Sequence, residues 1–241
     1  MTEKQQELGT LHLIPVGLSE AGIDNWLPAA AQQQASGLTH YVAENAKTAR
    51  AFLKLLALAR PIQDIDIQTL PAKPDQARLE QCLAPLFAGH DLGLVSEAGC
   101  PAVADPGSAL VALAHRAGAR VHPWVGPSSI MLGLMASGLD GQRFAFHGYA
   151  PVKPADRARQ LKQWEQLSAR LSQTQILIET PYRNDAMFET LAQTLAPQTR
   201  LCLARALTGP EQWVATRTVQ QWRKAPTPKL SGLPTLFLFQ A

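Results

Sequence analysis

Cysteine is scarce in this chain. There are three, Cys82, Cys100 and Cys202, odd in number, far apart and without a CxxC pair. The six histidines are scattered, with neither HExxH nor HxH spacing. A disulfide framework and a structural zinc site are therefore not expected. Charge is sparse too. Charged residues make up 17% of the chain against 46% hydrophobic, and 22 Lys+Arg nearly cancel 19 Asp+Glu to leave +3. A disordered chain has low hydrophobicity and high net charge, so that class is excluded. The near-neutral balance gives no compositional sign of a nucleic-acid partner. No apolar run approaches the roughly 18–20 residues of a membrane span. Residues 1–8 are polar, with no positive region leading into an apolar core. No signal peptide is expected there, and the chain reads as cytoplasmic, with no membrane partner.

What the chain has is length and punctuation. Its 241 residues suffice for one large domain or two modest ones, and exclude a small scaffold that needs staples. Eighteen prolines and 16 glycines are spread throughout, cutting it into many short elements. In the first half the pattern predicts strands over Leu11–Val16, Leu38–Ala43, Ile65–Leu70, Leu92–Ser96 and Ala119–Trp124. Between them it predicts helices over Asp24–Gln34, Ala46–Leu58, Asp75–Phe87 and Gly107–Ala117. In the second of these, Phe52, Leu55, Leu56 and Leu58 should face inward. Strand–helix alternation of this kind argues for a largely parallel sheet with crossover helices.

Gly126-Pro127 breaks that run. Helices over Ser128–Ser137, Ala155–Leu171 and Asn184–Leu195 then alternate with strands over Arg143–Tyr149, Thr174–Glu179 and Arg200–Ala204. Strands near Gln212–Thr216 and at Thr235–Phe239 close the chain, and the closing strands read as antiparallel. The expected division is a flexible segment 1–8, an α/β domain 9–125 and a second α/β domain 126–241.

The stretch Val95-Ser-Glu-Ala-Gly-Cys-Pro-Ala-Val-Ala-Asp-Pro-Gly107 follows a buried strand and ends at a helix start. Ligands in open α/β sheets bind beyond the carboxyl ends of strands. Gly99 permits close backbone approach, and Pro101 and Pro106 stiffen the loop. A rigid turn capped by Asp105 is the plainer alternative. Trp124-Val-Gly-Pro-Ser-Ser129 leads into a helix in the same way, with Ser128 or Ser129 as cap; its first N–H groups would offer a site for a carboxylate or hydroxyl, and a plain N-cap is the alternative. Ile178-Glu-Thr-Pro-Tyr-Arg-Asn184 is a third loop at a strand end.

These residues carry a resemblance. SEAGCPAVADPG is similar to the S-D-A-G-x-P-x-x-x-D-P-G motif of the small-subunit rRNA 2′-O-ribose (cytidine) methyltransferase I family, within the tetrapyrrole (corrin/porphyrin) methylase superfamily. LHLIPVG, AENAKTAR, VGPSSIMLGLMASGL, FAFHGYAPVK, ETPYR and LARALT resemble further motifs of that family in the same order, over roughly residues 9–240. The resemblance implies two α/β domains of the tetrapyrrole methylase type with a cofactor cleft between them. It implies S-adenosylmethionine (SAM) as cofactor and no metal. Pro15, Val16 and Gly17 should line the first loop. Gly99, Cys100, Pro101 and Val103 should meet SAM mainly through backbone, and Ser128 and Ser129 should lie near its carboxylate or sulfonium end. Tyr182, Ala206, Leu207 and Thr235 should close the cleft. rRNA or the small ribosomal subunit is the implied partner, and a homodimer the implied assembly.

The sequence also departs from the family. The first loop reads Gly17-Leu-Ser-Glu-Ala-Gly-Ile-Asp24 where relatives have G-N-L-x-D-I-T. The E-D-T-R acid pair becomes Glu44-Asn45, and the arginine is displaced, with Lys47 and Arg50 nearby. Methyl transfer to an alcohol needs alignment, exclusion of water and a base for the hydroxyl proton. Glu44 and Glu97, with Arg50 as a phosphate contact, are the candidate catalytic residues. Glu179 and Arg183 are further candidates for the base and the phosphate contact. Each reads equally as a helix cap or ion-pair partner. The altered acceptor-side motifs leave open a small-molecule acceptor such as a tetrapyrrole, or a SAM-binding protein without catalysis.

Overall fold

The computed structural model describes residues 7–241, so most of the expected flexible segment 1–8 lies outside the described residues. The chain forms two compact units, one ending at Pro127 and the other spanning Ser128–Ala241.

The first unit is a parallel sheet between helices. Its strands are β1 (Thr10–Ile14), β2 (His40–Ala43), β3 (Asp66–Thr69), β4 (Leu92–Val95) and β5 (Arg120–Pro123). They run in the order β3-β2-β4-β1-β5, every pair parallel, as the alternating pattern predicts. The connecting helices are α1 (Ala29–Gly37), α2 (Ala46–Leu53), α3 (Gln76–Phe87) and α4 (Gly107–Arg116). Side chains alternate across the sheet with period two. Leu11, Val42, Leu92 and Leu94 pack with α3 and α4 on one face. Ile14, Tyr41, Ala43 and Val95 pack with α1 and α2 on the other.

Two helices depart from expectation. α1 begins at Ala29 rather than Asp24, because Pro28 takes extended backbone at its start and Asp24 falls in a short turn, Ile23–Asn25. α2 stops at Leu53 rather than Leu58. The backbone then tightens, with Leu55 N–H donating to Phe52 and Leu56 N–H to Leu53, each three residues back. That turn swings Leu55 out to 53% exposure while Phe52 and Leu56 stay buried.

The second unit has strands β6 (Phe144–Tyr149), β7 (Thr174–Ile178), β8 (Arg200–Arg205), β9 (Trp213–Thr218) and β10 (Thr235–Gln240) in the order β6-β7-β10-β8-β9. β6 and β7 are parallel, and every other pair is antiparallel, as read for the closing strands. α6 (Pro154–Leu171), α7 (Asn184–Thr194) and α8 (Val219–Lys224) cover one face around Leu177, Leu203, Phe237 and Phe239. α5 (Ser129–Ser137) lies on the other face, over Ala204, Leu236 and Leu238. α8 is missing from the sequence reading, although Thr218 and Gln221 form a reciprocal capping box at its start.

Gly93 shows how tightly the first sheet packs. A Cβ there would sit 2.7 Å from the Tyr41 ring. That ring is fully buried, and its hydroxyl donates to the Ala35 carbonyl at 2.7 Å. Gly93→Ala should therefore destabilise the protein by about 1–3 kcal/mol through overpacking. Urea unfolding curves of the two proteins measure this.

Candidate functional site

In the first unit all strands are parallel, so the carboxyl ends of β1, β2, β4 and β5 share one edge. Three loops leave that edge and are tied together. Val16 and Gly99 exchange reciprocal backbone hydrogen bonds of 3.0 and 3.1 Å. The Ser96 hydroxyl donates to the Gly99 carbonyl at 3.0 Å. The Cys100 thiol donates to the Pro127 carbonyl at 3.4 Å. Gly126 lies against Pro15, where a Cβ would come within 2.4 Å. Pro15, Val16, Gly17, Gly99, Cys100, Pro101 and Val103 are thereby gathered on one edge. Pro15, Val16, Gly99 and Pro101 are buried, Gly17 and Cys100 half-buried, and Val103 exposed.

The loop after β4 has unusual backbone. Gly99 has φ +75°, and Ala102 and Ala104 have φ +64° and +60°. Left-handed backbone costs a residue with a Cβ about 1–2 kcal/mol, so two such alanines need support. Asp105 gives it. Its Oδ1 accepts from the Ala102 and Gly107 N–H groups, both at 2.8 Å. Burial raises the Asp105 pKa above the usual carboxylate value, and those two bonds partly offset the rise.

Glu44 follows β2 on the same edge and is half-buried. Its pKa is raised, first by burial and then by the nearby charges of Asp105 and Glu97. Glu97 is exposed and accepts from the Thr48 hydroxyl at 3.5 Å. Asn45 caps α2 through its side-chain oxygen, which accepts from Lys47 N–H at 2.9 Å. Arg50 sits exposed in the last turn of α2, and among the described residues it has no ion pair with Glu44 or Glu97. The structure therefore groups Glu44 with Glu97 and Asp105 and leaves Arg50 outside that group.

In the second unit, β10 runs antiparallel to β7 and β8. Its first residue, Thr235, therefore lies beside the ends of both. Ala206 N–H donates to the Pro234 carbonyl at 2.8 Å, and Leu207 is buried. Ala206 and Thr208 have φ +48° and +67°, a second left-handed pair in a strand-end loop. Ser128 is the N-cap of α5, and Ser129 its first residue, with no side-chain hydrogen bond at the cap. The far end of α5 receives bonds from Arg200 and Thr216, so its N-terminus points to the edge that carries Ala206 and Thr235. Tyr182 follows β7 on this edge and is 75% exposed.

Glu179 takes the ion-pair role. Its side chain is fully buried and paired with Arg183. The sequence reading missed Asn184 and Asp185. The buried Asn184 donates to the Leu233 carbonyl at 2.7 Å, and Asp185 accepts from Leu230 N–H at 3.3 Å. Both fasten the 230–233 loop to the ETPYR turn. The only hint in sequence was their place directly after that motif.

Residues 30–222 match the tetrapyrrole (corrin/porphyrin) methylases as a family. The chain belongs to this family. Its relatives include three proteins named ribosomal RNA small subunit methyltransferase I. That of Xylella fastidiosa (strain Temecula1) is 32% identical over 200 residues, 83% of this chain and 69% of the relative. Those of Neisseria meningitidis serogroup B and Vibrio cholerae serotype O1 are 37% and 35% identical. The aligned parts cover 51% and 56% of this chain, but only 40% and 45% of those relatives. Among solved structures, the methyltransferase CobJ superposes with a TM-score of 0.63 at 19% identity, over 97% of this chain and 94% of its own. The uroporphyrin-III-C-methyltransferase of Thermus thermophilus gives 0.55 at 18%, over 96% and 92%. Those two likenesses speak for the fold.

This tetrapyrrole methylase is a SAM-dependent methyltransferase. The residues present suit the cofactor. Gly99 has left-handed backbone at φ +75°, and a Cβ there would also press on the Leu18 side chain at 3.2 Å, so the position favours bare backbone. The positive end of α5 suits a carboxylate. Among the described residues, no acidic, histidine or cysteine group could hold a metal ion, and no helix is long and apolar enough to cross a membrane.

Asp105→Ala should release Ala102 and Gly107 N–H and let the left-handed alanines relax. We expect SAM affinity at least tenfold weaker by calorimetry, with the far-ultraviolet circular dichroism unchanged. Asp105→Asn, which keeps an acceptor oxygen, should recover most of the loss.

Proposed function

We propose that this methyltransferase transfers a methyl group to a ribose 2′-oxygen of small-subunit ribosomal RNA, with Glu44 as the base. The observation that carries the acceptor is the shared name of its relatives, above all the Xylella fastidiosa protein aligned over 83% of this chain. In this reading Gly99, Cys100, Pro101 and Val103 hold SAM through backbone, beside Pro15, Val16 and Gly17. Ser128, Ser129, Tyr182, Ala206, Leu207 and Thr235 are its contacts in the second unit. SAM supplies a methyl group already activated on a sulfonium.

What remains for the chain is the acceptor oxygen. A ribose hydroxyl is a weak nucleophile until a base takes its proton, and a base works best when its pKa approaches the working pH. Glu44 fits that need, being half-buried and raised above 4.5 by burial and by Asp105 and Glu97. Glu97, exposed on the same edge, contributes to that rise through its charge. Arg50 is an exposed cation on the same unit, suited to a phosphate of the acceptor. The enzyme works in the cytoplasm as a homodimer.

Labelled SAM incubated with small ribosomal subunits tests this. The label should enter rRNA, at a linkage that resists alkali because its 2′-hydroxyl is blocked. Incorporation into precursor tetrapyrroles instead would overturn the reading. Glu44→Gln should lower kcat by about 10²–10⁴-fold while SAM affinity holds. For the wild type, activity should fall as pH drops through the raised Glu44 pKa. The acid limb of the kcat profile should therefore lie above pH 4.5, and Glu44→Gln should abolish it.

A further inference from the structure

The Glu179–Arg183 pair is built asymmetrically. Glu179 Oε1 accepts from Thr180 N–H at 2.7 Å, from the Thr180 hydroxyl at 3.3 Å, from Arg183 Nε at 3.0 Å and from Arg183 Nη2. Its Oε2 is buried and has no partner. All of the pairing therefore falls on one oxygen, and the carboxylate uses only the side edge of the guanidinium, Nε with Nη2. A guanidinium has a second edge, Nη1 with the other N–H of Nη2, and that edge can grip a second anion with two parallel bonds. Among the described residues nothing is bonded to Nη1. The Arg183 side chain keeps 24% of its surface exposed, while that of Glu179 keeps none. A free arginine would spend rotamer entropy on each anion it met. This one is already fixed.

The surroundings are aromatic and rigid. The Arg183 guanidinium carbon lies 5.6 Å from the centre of the Tyr182 ring. Tyr149 ends β6 opposite Ile178, the residue before Glu179, and its phenol lies within electrostatic reach of Arg183. Tyr149 is 56% exposed, a large ring left in water at a strand end. The turn carrying Arg183 starts at Pro181, whose carbonyl accepts from Gly232 N–H at 3.1 Å. A fixed cation beside exposed rings suits an unpaired nucleotide: the cation takes a phosphate, and a ring stacks on a base.

We propose that Arg183 grips a backbone phosphate of the acceptor RNA with its Nη1–Nη2 edge, that Tyr149 stacks on an adjacent unpaired base, and that Glu179 is the positioning residue that holds Arg183 for both. The proposal rests on the RNA reading above and adds the surface that would hold the acceptor.

Binding of a small-subunit rRNA transcript across a salt series tests it. Arg183→Gln should weaken binding about tenfold near 0.1 M salt. It should also flatten the plot of log affinity against log salt by about 0.7, the change for one phosphate contact on a single strand. Arg183→Lys should keep the wild-type slope but recover only part of the affinity, since a point charge lacks the second prong. Tyr149→Ala should lose about fivefold or more with the slope unchanged, as stacking is not ionic. Glu179→Gln should raise KM for RNA and leave kcat within twofold. All four variants should bind SAM within twofold of wild type, which guards against misfolding. If Arg183→Gln binds RNA with wild-type affinity and slope, this proposal is overturned and the RNA reading stands. If the wild-type protein itself does not bind the transcript, both fall. If the variants change oligomeric state with RNA binding intact, the surface is a protein contact and the proposal is overturned.

Discussion

The first unit depends on the reciprocal hydrogen bonds between Val16 and Gly99. A parallel sheet delivers its carboxyl ends to one edge but leaves the loops beyond them free to splay. This pair is an antiparallel bridge that joins the loops after β1 and β4 beyond their parallel pairing, beside a gap that a side chain on Gly99 would crowd. Once it is made, Pro15 meets Gly126, and Cys100 reaches the Pro127 carbonyl. The left-handed alanines can then be held by one carboxylate, Asp105. The strain is concentrated where bare, pre-aimed backbone is of use to a ligand.

The second unit solves the same problem with a different sheet. Its central strand β10 is antiparallel to both neighbours, so one edge collects the ends of β7 and β8 and the start of β10. Proline-led turns and buried polar side chains then fix the loops there. Asn184 is completely buried, and its amide serves the 230–233 loop rather than its own helix. Only its Nδ2 is bonded, to the Leu230 and Leu233 carbonyls, while Oδ1 is buried without a partner, so moving the loop would leave the whole buried amide unpaired.

The layout was legible because it rests on period and punctuation. Leu92–Val95 is a short apolar run flanked by turn residues, and it is a buried strand. Asp75 precedes a helical pattern, and its side chain caps that helix at Arg78 N–H. What failed was local competition. Leu55 fits an inward helical position, but a tightened last turn sends it outward, and no periodicity reports where a helix tightens. The strand-end loops could be located from Gly99, Ser128 and Tyr182, because strand ends in α/β folds are where ligands go. The grouping of Glu44 with Asp105 was beyond reach, because their spacing carries no signal; the four-residue spacing of Glu179 and Arg183 points to an ion pair but not to its placement on one oxygen. Glu44 and Asp105 lie 61 positions apart in sequence.

Near-neutral composition also constrains how the acceptor is held. With 22 cations against 19 anions, the chain has a net charge of only +3, a weak overall attraction for a polyanion. For the RNA acceptor proposed above, a few fixed groups and stacking would then carry much of the affinity. A group fixed in advance loses little entropy on binding, and its contact is directional. The same sparse charge keeps the Glu44 environment sensitive. Among the described residues no cation pairs with Glu44, so the charges of Glu97 and Asp105 act on it together with burial. A strongly basic surface would favour RNA capture, but it would also pull that carboxylate back toward its ordinary pKa and so weaken it in the base role proposed above. Low charge is therefore consistent with both needs: a raised carboxylate in one unit and a single clamped arginine in the other.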